Sequence, residues 1–190
     1  MTVTPLSLLD RLRSEPDQPS WHRLVSLYTP LIRDTIARFD VQSADADDLT
    51  QEVFAVVTRS MGTFEHNGRS GAFRNWLRSV VVHRVRVYWE TRRRQPLVEV
   101  GQRLTELEDP SSNLCRQWDR EHDAFVLRRL LDLLKVEFTT STWEAFCRQV
   151  FDEVAPSIVA EELGLTINAV RIAKWRVQRR MMQEVAGLID

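Results

Sequence analysis

The chain has 190 residues, enough for one medium domain or two small ones joined by a linker. With 43% hydrophobic and 28% charged residues it is too apolar to be disordered, and a net charge of -1 excludes a uniformly basic nucleic-acid binder. The N-terminus, MTVTPLSLLDRLRSEPDQ, runs from a short apolar stretch into an acid and a proline. It reads as neither a secretory signal nor a membrane span, so a cytoplasmic protein with no membrane insertion is expected.

In chain order, Leu24, Leu27, Tyr28, Leu31, Ile32, Thr35, Ile36 and Phe39 recur at helical spacing and predict a first amphipathic helix. A second begins near Ser43 or Asp45, either of which can cap free amides, and carries Leu49, Val53, Phe54, Val56, Val57 and Met61. Its acids fall in the first turns, where the helix dipole favours them. The glycines and polar residues of Glu65 to Gly71 predict a loop. Ser70 is the expected cap of a third helix, with Ala72, Phe73, Trp76, Leu77, Val80, Val81, Val85 and Tyr88 inward and its arginines largely outward. That helix should end at RRRQP, because the residue before Pro96 is pushed out of the helical region.

From 95 to 113 the chain has Pro96, Gly101, Pro110, acids and DPSSN with weak periodicity, which reads as an interdomain linker. Leu97 to Val100 is the one short run with a strand-like pattern. Leu114 to Phe138 is helical by spacing, and Ser141 to Glu144 has the form of a capping box opening a helix whose Trp143, Phe146, Val150 and Phe151 fill a small core. The expected fold is all-α, with two small helical domains over 1–94 and 114–190 and a linker over 95–113.

Charge is strongly segregated along the chain. Asp40 to Phe54 holds five acids and no Lys or Arg, Arg69 to Arg94 holds eight arginines against Glu90 alone, and Thr166 to Arg180 holds five bases and no acid. Local cationic clusters of this kind are the electrostatic footprint of polyanion binding, since neutralised phosphates release condensed counterions. The last cluster lies in PSIVAEELGLTINAVRIAKWRVQRR, from Pro156 to Arg180. A helix-turn-helix needs a small residue where its helices cross, a glycine able to take positive φ in the turn, and an apolar clamp on the second helix. Ala160, Gly164 and Val170 meet those needs, with Val159, Leu163, Leu165 and Ala173 filling the core. Thr166 then caps a second helix that offers Asn168, Arg171 and Lys174 to a major groove, with Arg176, Arg179 and Arg180 nearer the phosphates.

The run DADDLTQEVF at Asp45 to Phe54 resembles the polymerase-binding signature of sigma factors, and Phe73-Arg-Asn-Trp-Leu77 is similar to the F..WL that opens their promoter-recognition helix. With the C-terminal helix-turn-helix, the order and spacing resemble a two-domain sigma factor of the extracytoplasmic-function class over nearly the whole chain. The resemblance implies that Asp47, Asp48, Gln51 and Glu52 face core RNA polymerase. It further implies that Asn67, Arg69, Ser70, Arg74, Asn75, Arg78 and Arg86 meet the downstream promoter element around an extruded base, and that Thr166, Asn168, Arg171, Lys174 and Arg176 meet the upstream one. An anti-sigma factor is a further partner the family implies, with no motif for it in the sequence. His83 stands where the family usually has Asn, and Ala169 where it usually has Thr.

A catalytic protein is the first alternative. His22, His66, His83 and His122 lie far apart, with no Glu at a metal-ligand interval, and no phosphate-binding loop or nucleophile elbow is present. Each His is read as a surface or satisfied residue, and no enzymatic activity, cofactor or metal is expected. Cys115 and Cys147 are isolated thiols, read as small hydrophobes rather than a bridge or zinc ligands. The nearer rival is a stand-alone helix-turn-helix regulator that binds duplex DNA without polymerase, which leaves DADDLTQEVF and the central arginines without a purpose.

Overall fold

The computed structural model describes residues 7–64, 71–91 and 98–189. Among these the regular structure is helical throughout, apart from an isolated bridge between Ala186 and Ile189. The chain forms two compact units, Met1–Leu127 with Ala186–Asp190, and Arg128–Val185.

The first unit opens with α1 (Leu8–Ser14), whose Leu8, Leu9 and Leu12 are buried. Ser7 caps it, its hydroxyl accepting the Asp10 amide at 3.2 Å. Only seven residues long, this helix carries too little periodic pattern for the sequence reading to find it. Asp17 caps α2 (Gln18–Ala37), taking the Ser20 amide at 2.6 Å, and Pro19 sits in the first turn, where its missing N–H costs nothing. The α2 stripe lies where periodicity places it: Leu24, Leu27, Tyr28, Leu31, Ile32 and Ile36 are buried.

Helix α3 (Ser43–Ser60) begins at Gln42, without a side-chain cap. Ser43 and Asp45, the caps expected from sequence, lie inside it and are engaged elsewhere: Ser43 accepts from Arg33 and Asp45 from Tyr88. A single 3₁₀ turn (Met61–Thr63) follows. Helix α4 (Ala72–Thr91) buries two faces rather than one. Phe73, Leu77, Val81 and Val85 form the expected stripe, while Arg74, Arg78 and Val82 form a second buried row beside it. The Ser70 cap and the stop before Pro96 fall outside the described residues.

The expected linker is in large part a helix, α5 (Val98–Glu108), packed on α4. Val100, Leu104 and Leu107 supply its buried stripe, which the intervening Gly101 and polar residues diluted in the sequence. This also replaces the strand-like reading of Leu97 to Val100. Helix α6 (Asn113–Lys135) follows, and the division into units falls within it, between Leu127 and Arg128, beyond the expected 95–113 boundary. Cys115, Trp118, His122 and Val126 make its buried edge in the first unit.

In the second unit, α7 (Thr140–Val150), α8 (Pro156–Leu163) and α9 (Ile167–Val185) pack around Ala145, Val159, Ala160, Val170 and Ala173. The cap of α7 is Thr139, whose hydroxyl takes the Thr142 amide at 3.3 Å, so the capping box expected at Ser141 to Glu144 sits inside the helix. Thr139 and Thr142 stand in the same three-residue relation two positions upstream. Phe146 is fully buried as expected, but Phe151 is exposed.

Candidate functional site

Three surfaces carry the charged residues singled out in the sequence. On α3, the core takes Leu49, Val53 and Val57, which leaves Asp47, Asp48, Gln51 and Glu52 exposed on the opposite side. Arg33 donates to Asp47 at 2.5 Å, and Glu52 lies 3.7 Å from Arg84. Asp47 and Glu52 each stay about half exposed in these pairs, so neither contact locks the acids away from another partner. Helices α3 and α4 are joined lower down, where the Tyr88 hydroxyl donates to Asp45 at 2.8 Å. The acidic and arginine-rich helices therefore touch without sequestering these four residues.

On α4, Asn75 is exposed and Arg86 half-exposed, the latter paired with Glu108 of α5 at 2.7 Å. Arg74 and Arg78 are not outward, as the sequence reading had them: they are 7% and 5% exposed. Asp119 and Asp123 on α6 draw them in. Arg74 Nη1 donates to Asp123 at 2.6 Å and its Nε lies 3.2 Å from Asp119, which also accepts from Arg78 Nη1 at 2.7 Å. Trp118 stacks near Arg78, its ring centroid 5.6 Å from the guanidinium carbon, and donates its N–H to Thr35. His122 is fully buried beside them, bonded to Asp123 at 2.8 Å and to the Tyr28 hydroxyl at 3.2 Å.

Burial lowers the His122 pKa below its usual 6.5 against the pull of Asp123, and pushes the Tyr28 phenol well above 10. Burial raises the Asp123 carboxyl, but the bonds from His122 and Arg74 outweigh it and hold the group below 3.8. Sequence reasoning missed this network because its members come from α2, α4 and α6, with no motif linking them. The signal available was the pair of acids at Asp119 and Asp123, one helical turn apart beside Trp118. Trp76 is half-buried and packs on Phe64 and Phe73, with ring centroids at 4.9 and 5.6 Å. Asn67, Arg69 and Ser70 lie outside the described residues.

The helix-turn-helix is formed as its sequence requires. Gly164 ends α8 with φ 64° and ψ 32°, a left-handed conformation that glycine adopts without a Cβ penalty. Ala160 and Val170 are buried at the crossing, and the Thr166 hydroxyl takes the Ala169 amide at 3.1 Å to cap α9. Thr166, Asn168, Arg171 and Arg176 are exposed, and Lys174 is half-buried. Arg180, expected near phosphates, pairs instead with Glu137 at 2.8 Å and with Glu184. Periodicity did not single out Ile172, 42% exposed, which shares the open face with Trp175, 56% exposed and stacked under Arg179. It also missed Gln149, whose side-chain amide donates to the carbonyls of Ala145 and Val170 and ties α7 to α9.

The acidic face and α4 both fall within a recognisable span. Residues 24–95 match Sigma-70 region 2. The matched span is similar to a region of sigma-70 factors and covers less than half of the chain. No curated protein matches the chain. The region 2 segment comprises most of α2, all of α3 and α4, while α5, α6 and the helix-turn-helix lie beyond it. Among the described residues no cluster of His, Cys, Asp and Glu could hold a metal ion, and no helix is long and apolar enough to cross a membrane.

Proposed function

We propose that the chain is a sigma factor of the extracytoplasmic-function class, which binds core RNA polymerase through the exposed α3 face, assists promoter melting with the region 2 segment and reads an upstream element with α9. The conjunction in one chain of a region 2 segment with a geometrically complete helix-turn-helix carries this reading. Asp47, Asp48, Gln51 and Glu52 are the polymerase contacts; four acidic or amide groups that the core leaves outside suit a basic partner surface. Asn75 and Arg86, with Asn67, Arg69 and Ser70 by resemblance, serve the downstream element. Arg74 and Arg78 are withdrawn from that role by their burial. Asn168, Arg171, Lys174 and Arg176 serve the upstream element, with Thr166 as the cap that orients them.

The test is reconstitution. The purified chain should co-elute with core polymerase and support run-off transcription from a cognate promoter, and Asp47→Lys, Asp48→Lys and Glu52→Lys combined should abolish co-elution while the helical circular-dichroism signal persists. Stable binding to duplex DNA with no affinity for core polymerase would establish the stand-alone regulator instead. Arg171→Ala should cost about 1–3 kcal/mol at one upstream position if Arg171 reads a base, and a uniform loss across sequences if it meets a phosphate.

A further inference from the structure

Arg74 lies in the first turn of α4 and, among the described residues, meets both α6 and Gly71. On one side its guanidinium meets Asp119 and Asp123 of α6. On the other it lies against Gly71, so closely that a Cβ built there would fall 2.7 Å from Nη2. Gly71 has φ 70°, and its carbonyl accepts the Asn75 amide at 2.8 Å, so it is the residue that turns the chain into α4. The carboxylates are themselves held: Asp119 by Arg78, Asp123 by His122, and His122 by Tyr28. Arg74 and Arg78 are 7% and 5% exposed and held by the α6 carboxylates, so a nucleic-acid phosphate would have to displace those partners to meet either guanidinium.

We infer that Arg74 is a positioning residue: Asp119 and Asp123 on α6 clamp its guanidinium against Gly71 and so fix the corner from which α4 starts, with Asn75 on its open side. The device reaches beyond the region 2 match, since α6 supplies both carboxylates. Its consequence for promoter melting rests on the sigma-factor reading; the clamp itself does not. The same ion pairs read as decoy anions, displaced by DNA phosphates, predict the opposite sign for every carboxylate substitution.

The experiment uses the full chain with Asp123→Asn, which keeps shape and removes one charge, and Arg74→Lys, which keeps charge but cannot span both carboxylates and the Gly71 edge. In the free protein, hydrogen exchange of the Asn75, Trp76 and Leu77 amides should accelerate about tenfold in both variants, while amides in the middle of α2 and α3 stay near wild type. In reconstituted transcription complexes, 2-aminopurine placed in the melted strand should report opening slowed about tenfold, the order of loss a small misplacement causes, with affinity for core polymerase unchanged. Unaltered exchange at Asn75 to Leu77 overturns the clamp, as does acceleration shared equally by α2 and α3, which marks general destabilisation. Tighter promoter binding by Asp123→Asn would make the carboxylates decoys and also overturn it. If the wild-type chain fails to engage polymerase, the sigma-factor reading falls, and the exchange data alone decide the clamp.

Discussion

His122 is held neutral by where it sits. The imidazole is fully buried between Trp118 and Tyr28, and burial outweighs the favourable Asp123 carboxylate in setting its pKa below 6.5. Between that lowered value and 6.5 the unfolded chain binds more protons than the folded one, so stability should fall as pH drops below about 6.5. Asp123, with its pKa below 3.8, adds stability that is complete above 3.8 and lost only in stronger acid, so the two windows separate. Denaturant titrations at pH 7.5, 6.5 and 5.5 should show a decline that flattens in His122→Gln, whatever that variant's absolute stability; equal slopes in the two proteins would exonerate the histidine. Glycines sort by the same local reading. At Gly164 a Cβ would meet nothing within 4 Å, so Gly164→Ala should cost about 1–2 kcal/mol, the backbone penalty alone. Gly71→Ala meets the Arg74 guanidinium in addition and should cost more, as thermal melts of the two variants would reveal.

At the scale of elements, legibility in the sequence followed the number of turns and the purity of the stripe. Helices α2, α3, α6 and α9 each run for several turns with apolar residues at helical spacing; α3 and α6 fall within a few residues of their predicted ends, α9 starts at its predicted cap, and α2 starts earlier than its apolar stripe. The turn at Gly164 was equally plain, because left-handed backbone selects glycine. Helix α1 was too short, and α5 was hidden by flanking prolines and by the polar residues and Gly101 between Val100, Leu104 and Leu107. The inward arginines were not legible, since Arg74 and Arg78 are buried only because α6 brings carboxylates to them, a long-range pairing that no local pattern records. A fragment ending at residue 94 should therefore fold poorly: it leaves Arg74 and Arg78 without Asp119 and Asp123 and lacks the buried Val100, Leu104, Leu107 and Trp118, whereas burial of each such apolar side chain is worth about 1.5–3 kcal/mol. Residues 1–127 should melt cooperatively, and a cooperative transition in the 94-residue fragment would show that α5 and α6 are dispensable.

Across the whole molecule, the two units have different internal resources. The first buries aromatic and aliphatic side chains from six helices, among them Tyr28, Phe73, Trp118 and Leu104, and adds the Arg74, Arg78, Asp119 and Asp123 network. The second, built on fewer residues, buries Leu130, Leu134, Phe146 and Val177 and closes over the cluster Ala145, Val159, Ala160, Val170 and Ala173, extended by Val154, Leu163 and Leu165. Small cores bury a smaller fraction of the unfolded chain's surface and are correspondingly marginal. Unfolding should thus depart from a single two-state transition, with the second unit lost at lower denaturant concentration. Tryptophan reports on this directly, because Trp143 and Trp175 lie in the second unit and Trp21, Trp76, Trp89 and Trp118 in the first. In a Trp143→Phe, Trp175→Phe variant the fluorescence transition should move to higher denaturant than the far-ultraviolet circular-dichroism transition, which averages over both units. Coincident curves would mean that the two cores fold as one cooperative body.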